Sequence, residues 1–158
     1  MLLLNIILIL LWLGFVGTGL KDGFIHTFGR LVGSIIGFVI ARSWSITFGS
    51  FLAVFLPTGW ARFIAFLVIF IVITRLIGFL FTLADGAFKI LSFIPFLKTI
   101  NNFLGALLGI IEGVIMLGGS IWLIIQFNLF PQLIVLLQQS FVAGLIEKIF
   151  NYLLKVVL

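Results

Sequence analysis

From Met1 to Leu20 the chain carries no charged side chain, and three further apolar runs of similar length are interrupted only by isolated charges. About 20 such residues, rising 1.5 Å each, span the hydrocarbon core of a bilayer as an α-helix. A water-soluble globule of 158 residues needs a polar shell, which this chain lacks: 64% of its residues are apolar and 8% charged. Ordinary soluble domains hold about 45–50% and about 25%. A soluble enzyme, a nucleic-acid reader and an extramembrane domain of any size are excluded. The expected fold class is all-α, because a lone strand in lipid leaves backbone groups unpaired. The chain reads as a single polytopic membrane domain with four transmembrane helices plus interfacial amphipathic helices.

The spans are expected at residues 2–19, 24–41, 60–83 and 102–127. The uncharged N-terminal run has no basic residue before it and no small-residue cleavage site, so it is expected to stay as the first span. Gly19-Leu20-Lys21-Asp22-Gly23 reads as a tight polar turn, with glycine supplying backbone freedom. In span two Gly29, Gly33, Gly37 and Ala41 recur every fourth residue, and Gly105, Gly109 and Gly113 repeat the pattern in span four. Both make small-residue ridges on which another helix can lie close. Asn101 and Asn102 are placed to cap the start of span four.

Interfacial segments are expected at 43–57, 84–95 and 131–158. The first alternates polar and apolar residues but reads as a short surface helix ended by Pro57, with a buried re-entrant segment as the alternative. In the second, Asp85 precedes Lys89 by four residues, which suits an exposed helical face. In the third, Ser140, Gly144, Glu147, Lys148, Asn151 and Lys155 form a polar stripe opposite apolar residues, as in an amphipathic interfacial helix. Each half then reads as span, connection, ridged span and surface helix, a parallel internal repeat.

Net charge is +5, but the basic residues stand singly and cannot track a phosphate backbone, so no nucleic-acid partner is expected. With no cysteine and a lone His26, no metal site or cofactor is expected. The charges within the spans matter more. Counting residues from the span ends puts Arg30, Arg75 and Glu112 roughly 9, 12 and 15 Å from one membrane face. They are therefore a candidate intramembrane charge cluster. Either the arginines snorkel to headgroups while Glu112 is neutral or paired, or the level forms a polar site for a solute, proton or lipid headgroup.

The run Gly17-Thr18-Gly19-Leu20-Lys21-Asp22-Gly23-Phe24, followed by Gly33, Gly37 and Ala41, resembles the colicin V production protein family, CvpA. Gly19, Lys21 and Gly23 carry its turn motif. The stretch from Ile100-Asn101-Asn102-Phe103 through Gly105, Gly109, Ile111, Glu112 and Gly113 is similar to that family's fourth span. The likeness covers about residues 1 to 125. Asn5 stands where the family often carries Asp, and Asn102 near a frequent acidic position, so any proton-linked role of those carboxylates is missing here. The resemblance implies a four-span protein of the bacterial cytoplasmic membrane, linked to bacteriocin production and envelope homeostasis.

Three function classes follow. The leading one is a non-enzymatic membrane protein that assists colicin V-type bacteriocin production or export, or envelope homeostasis, by gathering membrane lipids or other proteins. The alternative is a small homo-oligomeric channel or transporter with a polar site at the Arg30, Arg75 and Glu112 level. An intramembrane enzyme is weakest, since Asp22 and Asp85 lie at span edges and Ser34 points away from His26. Lys21, Arg30, Arg75, Lys89 and Lys98 flank one face, against Arg42 and Arg62 on the other. Both termini are expected outside, with the Lys21 and Lys89 connections cytoplasmic.

Overall fold

The protein, seen in a computed structural model, is described for the backbone of residues 2–88 and 95–157, with no strand among them. The order is α1 (Leu2–Leu52), α2 (Thr58–Phe88), α3 (Pro95–Gln126), α4 (Pro131–Gln138) and α5 (Phe141–Val157). Leu2–Leu52, Thr58–Phe81 and Lys98–Gln126 are each long and apolar enough to cross a membrane. Many of their large apolar side chains, such as Leu10, Val72 and Phe79, are exposed, whereas Thr27, Ser34, Ser45 and Glu112 are buried. This distribution is inverted relative to a soluble protein and fits a chain solvated by lipid. The protein is an all-α, polytopic membrane protein.

The helix α1 is not one rod. Gly23 has φ 81 and ψ 178, backbone open essentially to glycine alone. Its two legs, residues 2–22 and 24–52, run side by side along α3. On the first leg Gly19 meets Gly105, Phe15 meets Gly109, and Trp12 meets Gly113, so that leg is antiparallel to α3. On the second, Phe24 meets Asn101, Arg30 meets Glu112 and Phe38 meets Trp122, so that leg is parallel to it. Helix α2 runs back along the second leg, from Arg62 beside Gly49 to Phe81 beside Gly29. The bundle thus contains four rods, with α1 contributing two.

Small residues set the spacing. A methyl on Gly19 or Gly105 would collide with the carbonyl oxygen of the other, and one on Gly109 would lie 2.5 Å from the Phe15 carbonyl oxygen. A methyl on Gly37 would likewise lie 2.6 Å from the Thr74 hydroxyl, but one on Gly33 would have ordinary van der Waals room. Deeper along the second leg, Phe38 meets Phe66 of α2, Trp122 of α3 and Phe150 of α5 edge-on, at centroid distances of 5.5, 5.3 and 5.5 Å. One aromatic side chain therefore joins three other helices.

Several boundaries differ from the sequence expectation. The helix continues through Asp22, so the expected Gly19–Gly23 turn is reduced to Gly23 alone. Residues 43–52 continue the second leg instead of forming a separate surface helix, and only 53–57 turn before α2. No residue there breaks the i to i−4 ladder, and Ser45 and Ser50 direct their hydroxyls to their own helix at Arg42 and Thr47. The first half consequently lacks the surface helix that the internal repeat required. Helix α3 begins at Pro95, which places Asn101 and Asn102 inside it. The expected 84–95 segment is helical to Phe88, and the rest of it lies outside the described residues.

The tail is broken in two, with α4 and α5 bent by 90°. Asn128 (φ 48) breaks the helix after α3, and the Leu129 N–H reaches the Ile124 carbonyl. The Ser140 hydroxyl then starts α5, accepting from the Ala143 N–H at 3.1 Å. Ala143, Ile146 and Phe150 are buried, while Lys148, Asn151 and Lys155 stay exposed.

Gly105→Ala and Gly109→Ala should each lower stability in detergent by about 1–3 kcal/mol, through overpacking against backbone that cannot yield. Gly14 and Gly17, with nothing within 4 Å of where a methyl would stand, should tolerate alanine or gain up to about 1 kcal/mol. Equal thermal midpoints across these four variants would contradict the packing described.

Candidate functional site: the Arg30 ion-pair network

Arg30 stands about two turns beyond the Gly23 hinge, where the second leg faces both the first leg and α3. Its Nε donates to Glu112 Oε1 and its Nη2 to Glu112 Oε2, both at 3.0 Å. This is the parallel two-bond arrangement to which the planar guanidinium is suited. Nη1 donates to Asp22 Oδ2, and Nη2 also reaches Thr18 Oγ1 at 3.5 Å. Glu112 is 5% exposed, while Arg30 is partly open on its far side. One side chain thereby holds the end of the first leg, the turn of the hairpin and the middle of α3.

Neighbouring polar groups secure the same corner. The Phe24 N–H, left free where the second leg begins, donates to Asn101 Oδ1 at 3.2 Å. Asn101 thus caps the second leg of α1, not its own helix as its position before span four had implied. Thr27 Oγ1 donates to the Gly23 carbonyl oxygen at 2.8 Å, and the Trp12 indole N–H donates to the Ile110 carbonyl at 2.9 Å. Nothing in the local sequence marks Trp12, Thr18 or Asn101 as partners, since each contact spans helices distant in the chain. At the other end of the first leg, Asn5 Oδ1 accepts from the Ser140 hydroxyl at 2.6 Å. This amide fastens the tail to the start of the first leg.

Arg75 does not reach Glu112. Gly33 and Gly37 meet α2 through Thr74, Ile77 and Phe70, which turns Arg75 about 100° from Thr74 to the outer side. There it borders a groove of about 620 Å³ between α2 and the second leg, with His26, the open side of Arg30, Thr74, Phe79 and Phe81. Of the seven ridge residues, Gly29, Gly33 and Gly37 face α2, Gly105, Gly109 and Gly113 face the first leg, and Ala41 lies fully buried in the core around Phe38. Of the turn motif, Gly19 is a contact point, Lys21 is exposed and Gly23 is the hinge. Among the described residues no three His, Cys, Asp or Glu side chains gather as a metal site would require. Ser34 Oγ donates to its own helix at Leu31.

The family model described as Colicin V production protein matches residues 4–151. The chain belongs to that family. The match extends past the first four rods through α4 and into α5. Searches of curated proteins and of solved structures each found no match. For this colicin V production family member, the chemistry available at the network is charge pairing between helices, with Asp22 and Glu112 both engaged by Arg30.

Glu112→Gln leaves Arg30 with half of its bidentate partner and should destabilise by about 3 kcal/mol, the lower end for breaking a buried pair from one side. Adding Arg30→Gln should recover part of that loss, because the uncompensated charge goes with it. Arg75→Gln should add to either change independently, as expected for sites without shared partners. A double-mutant cycle on thermal unfolding in detergent measures all three couplings. Coupling of Glu112 to Arg75 instead of Arg30 would contradict the geometry.

Proposed function

We propose that this family member is a non-enzymatic protein of the bacterial cytoplasmic membrane that assists bacteriocin production or export, or envelope homeostasis. Family membership over residues 4–151 supports the setting. The observation that carries the non-enzymatic reading is the use of Asp22 and Glu112 to bind Arg30. Both carboxylates act between helices of the bundle, where a catalytic acid or base would have to meet substrate. Assistance of this kind works by recruiting lipids or other membrane proteins to the bundle's outer faces.

The proposed orientation keeps the Gly23 hinge in the cytoplasm and both termini outside. Asp22 precedes the Gly23 hinge at one end of the second leg, and Thr58 opens α2 just past its other end. In cells, a cysteine at Thr58 should react with an impermeant reagent from outside, and one at Asp22 only after permeabilisation. The reverse pattern would overturn the orientation.

The functional reading is tested in two assays. In a bacteriocin-producing strain lacking its own family member, the chain should restore bacteriocin release or envelope integrity. In proteoliposomes, it should carry no ion or proton flux above protein-free vesicles. Flux that disappears in Glu112→Gln would establish the channel or transporter reading in its place.

A further inference from the structure

Val68, Ile71, Val72, Leu76, Phe79 and Leu83 are exposed and follow one face of α2. Arg75 falls within that stripe, exposed, and makes no hydrogen bond or ion pair among the described residues. A bare guanidinium on a lipid-facing surface is costly, and such a residue takes a charged partner or marks a pathway. Arg30 cannot relieve it, being itself a cation whose Nε, Nη1 and Nη2 are all engaged by Glu112, Asp22 and Thr18.

The groove beside Arg75 has room for a ligand. Its volume of about 620 Å³ lies within the range of small-ligand sites, about 300–1,000 Å³. Gly78 lines it, and nothing stands within 4 Å of where a Gly78 side chain would begin. The charged side chains on its wall, Arg30 and Arg75, are both basic, and Phe79 and Phe81 supply apolar surface. Basic and apolar walls together, opening sideways onto an apolar stripe, complement an amphipathic anion.

We propose that this groove binds one anionic phospholipid, its phosphate on Arg75 and its acyl chains along the exposed face of α2. The charge of Arg75 selects an anion, and the apolar stripe selects a lipid over a soluble phosphate. The site gives one form to the lipid recruitment proposed above and rests on that reading for its role alone, since lipid binding is measured on the purified chain whatever that role is.

The full chain, purified in neutral detergent, is titrated with phosphatidylglycerol, phosphatidylcholine or inorganic phosphate. Bound lipid is read by native mass spectrometry, and folding by thermal unfolding. Phosphatidylglycerol should bind and raise the midpoint. Arg75→Gln should weaken that binding about tenfold, and Gly78→Leu, which fills the groove and keeps the charge, should do the same. Both variants should keep the parent's midpoint in phosphatidylcholine, which shows that they fold. Arg75→Lys should retain part of the affinity. Equal binding of phosphatidylglycerol by parent and variants would overturn the proposal. So would displacement of the lipid by inorganic phosphate, which marks a soluble-anion site. A dimer that dissociates on Arg75→Gln without any lipid effect would assign the groove to a second copy of the chain.

Discussion

A guanidinium carries its N–H donors in one fixed plane, and Arg30 distributes them over three separate parts of this chain. Nε and Nη2 grip Glu112 in the middle of α3, Nη1 reaches Asp22 beside the hinge, and Nη2 touches Thr18 at the end of the first leg. Lipid supplies no hydrophobic drive for apolar helices to associate, so close packing and polar contacts must choose which faces meet. Gly19, Gly105 and Gly109 permit backbones to approach, but a smooth contact permits sliding as well. The Arg30–Glu112 pair fixes the register, and the hairpin at Gly23 follows from it.

The rest of the bundle repeats this division of labour. Glycines bring α2 against the second leg, while Phe38 fixes how α2, α3 and α5 converge. The first leg is fastened at both ends, by Thr18 near the hinge and by Asn5 to Ser140 in the tail. Ser140 also caps α5, so the position of the tail helix depends on an amide near the N-terminus. Among the described residues no buried side-chain nitrogen or oxygen lacks a partner, as a lipid environment demands. Arg75 is different because it faces outward and makes no hydrogen bond or ion pair among the described residues.

Level along the bundle was legible in the sequence, and rotation about the helix axis was not. Counting residues placed Arg30, Arg75 and Glu112 at similar levels, but which pair could touch depended on the face each helix turned to its neighbour. The contacts of Gly33 and Gly37 with Thr74 decide that for α2, and no local pattern reports which helix a glycine ridge will meet. The hinge was visible as a glycine-containing turn, yet its sharpness was not, because helix propensity around Lys21 and Asp22 gives no sign of folding back at one residue. Asn101 misled for a related reason. Its amide suits a cap, and the N–H that it caps belongs to a helix far away in sequence. The amphipathic stripe of α5 was plain, since its period lies within one helix.

The central claim, that Arg30 and Glu112 join the second leg of α1 to α3, can be measured directly in lipid bilayers. The protein would be prepared with ¹⁵N-labelled arginine and ¹³C-carboxyl-labelled glutamate. Glu147→Gln would leave Glu112 the only labelled glutamate. Solid-state magnetic resonance should then detect a strong nitrogen–carbon dipolar coupling, in keeping with the 3.0 Å approaches of Nε and Nη2, and Arg30→Gln should abolish it. A carboxylate that shows no coupling to any arginine, or whose coupling survives Arg30→Gln and vanishes in Arg75→Gln, would contradict the account.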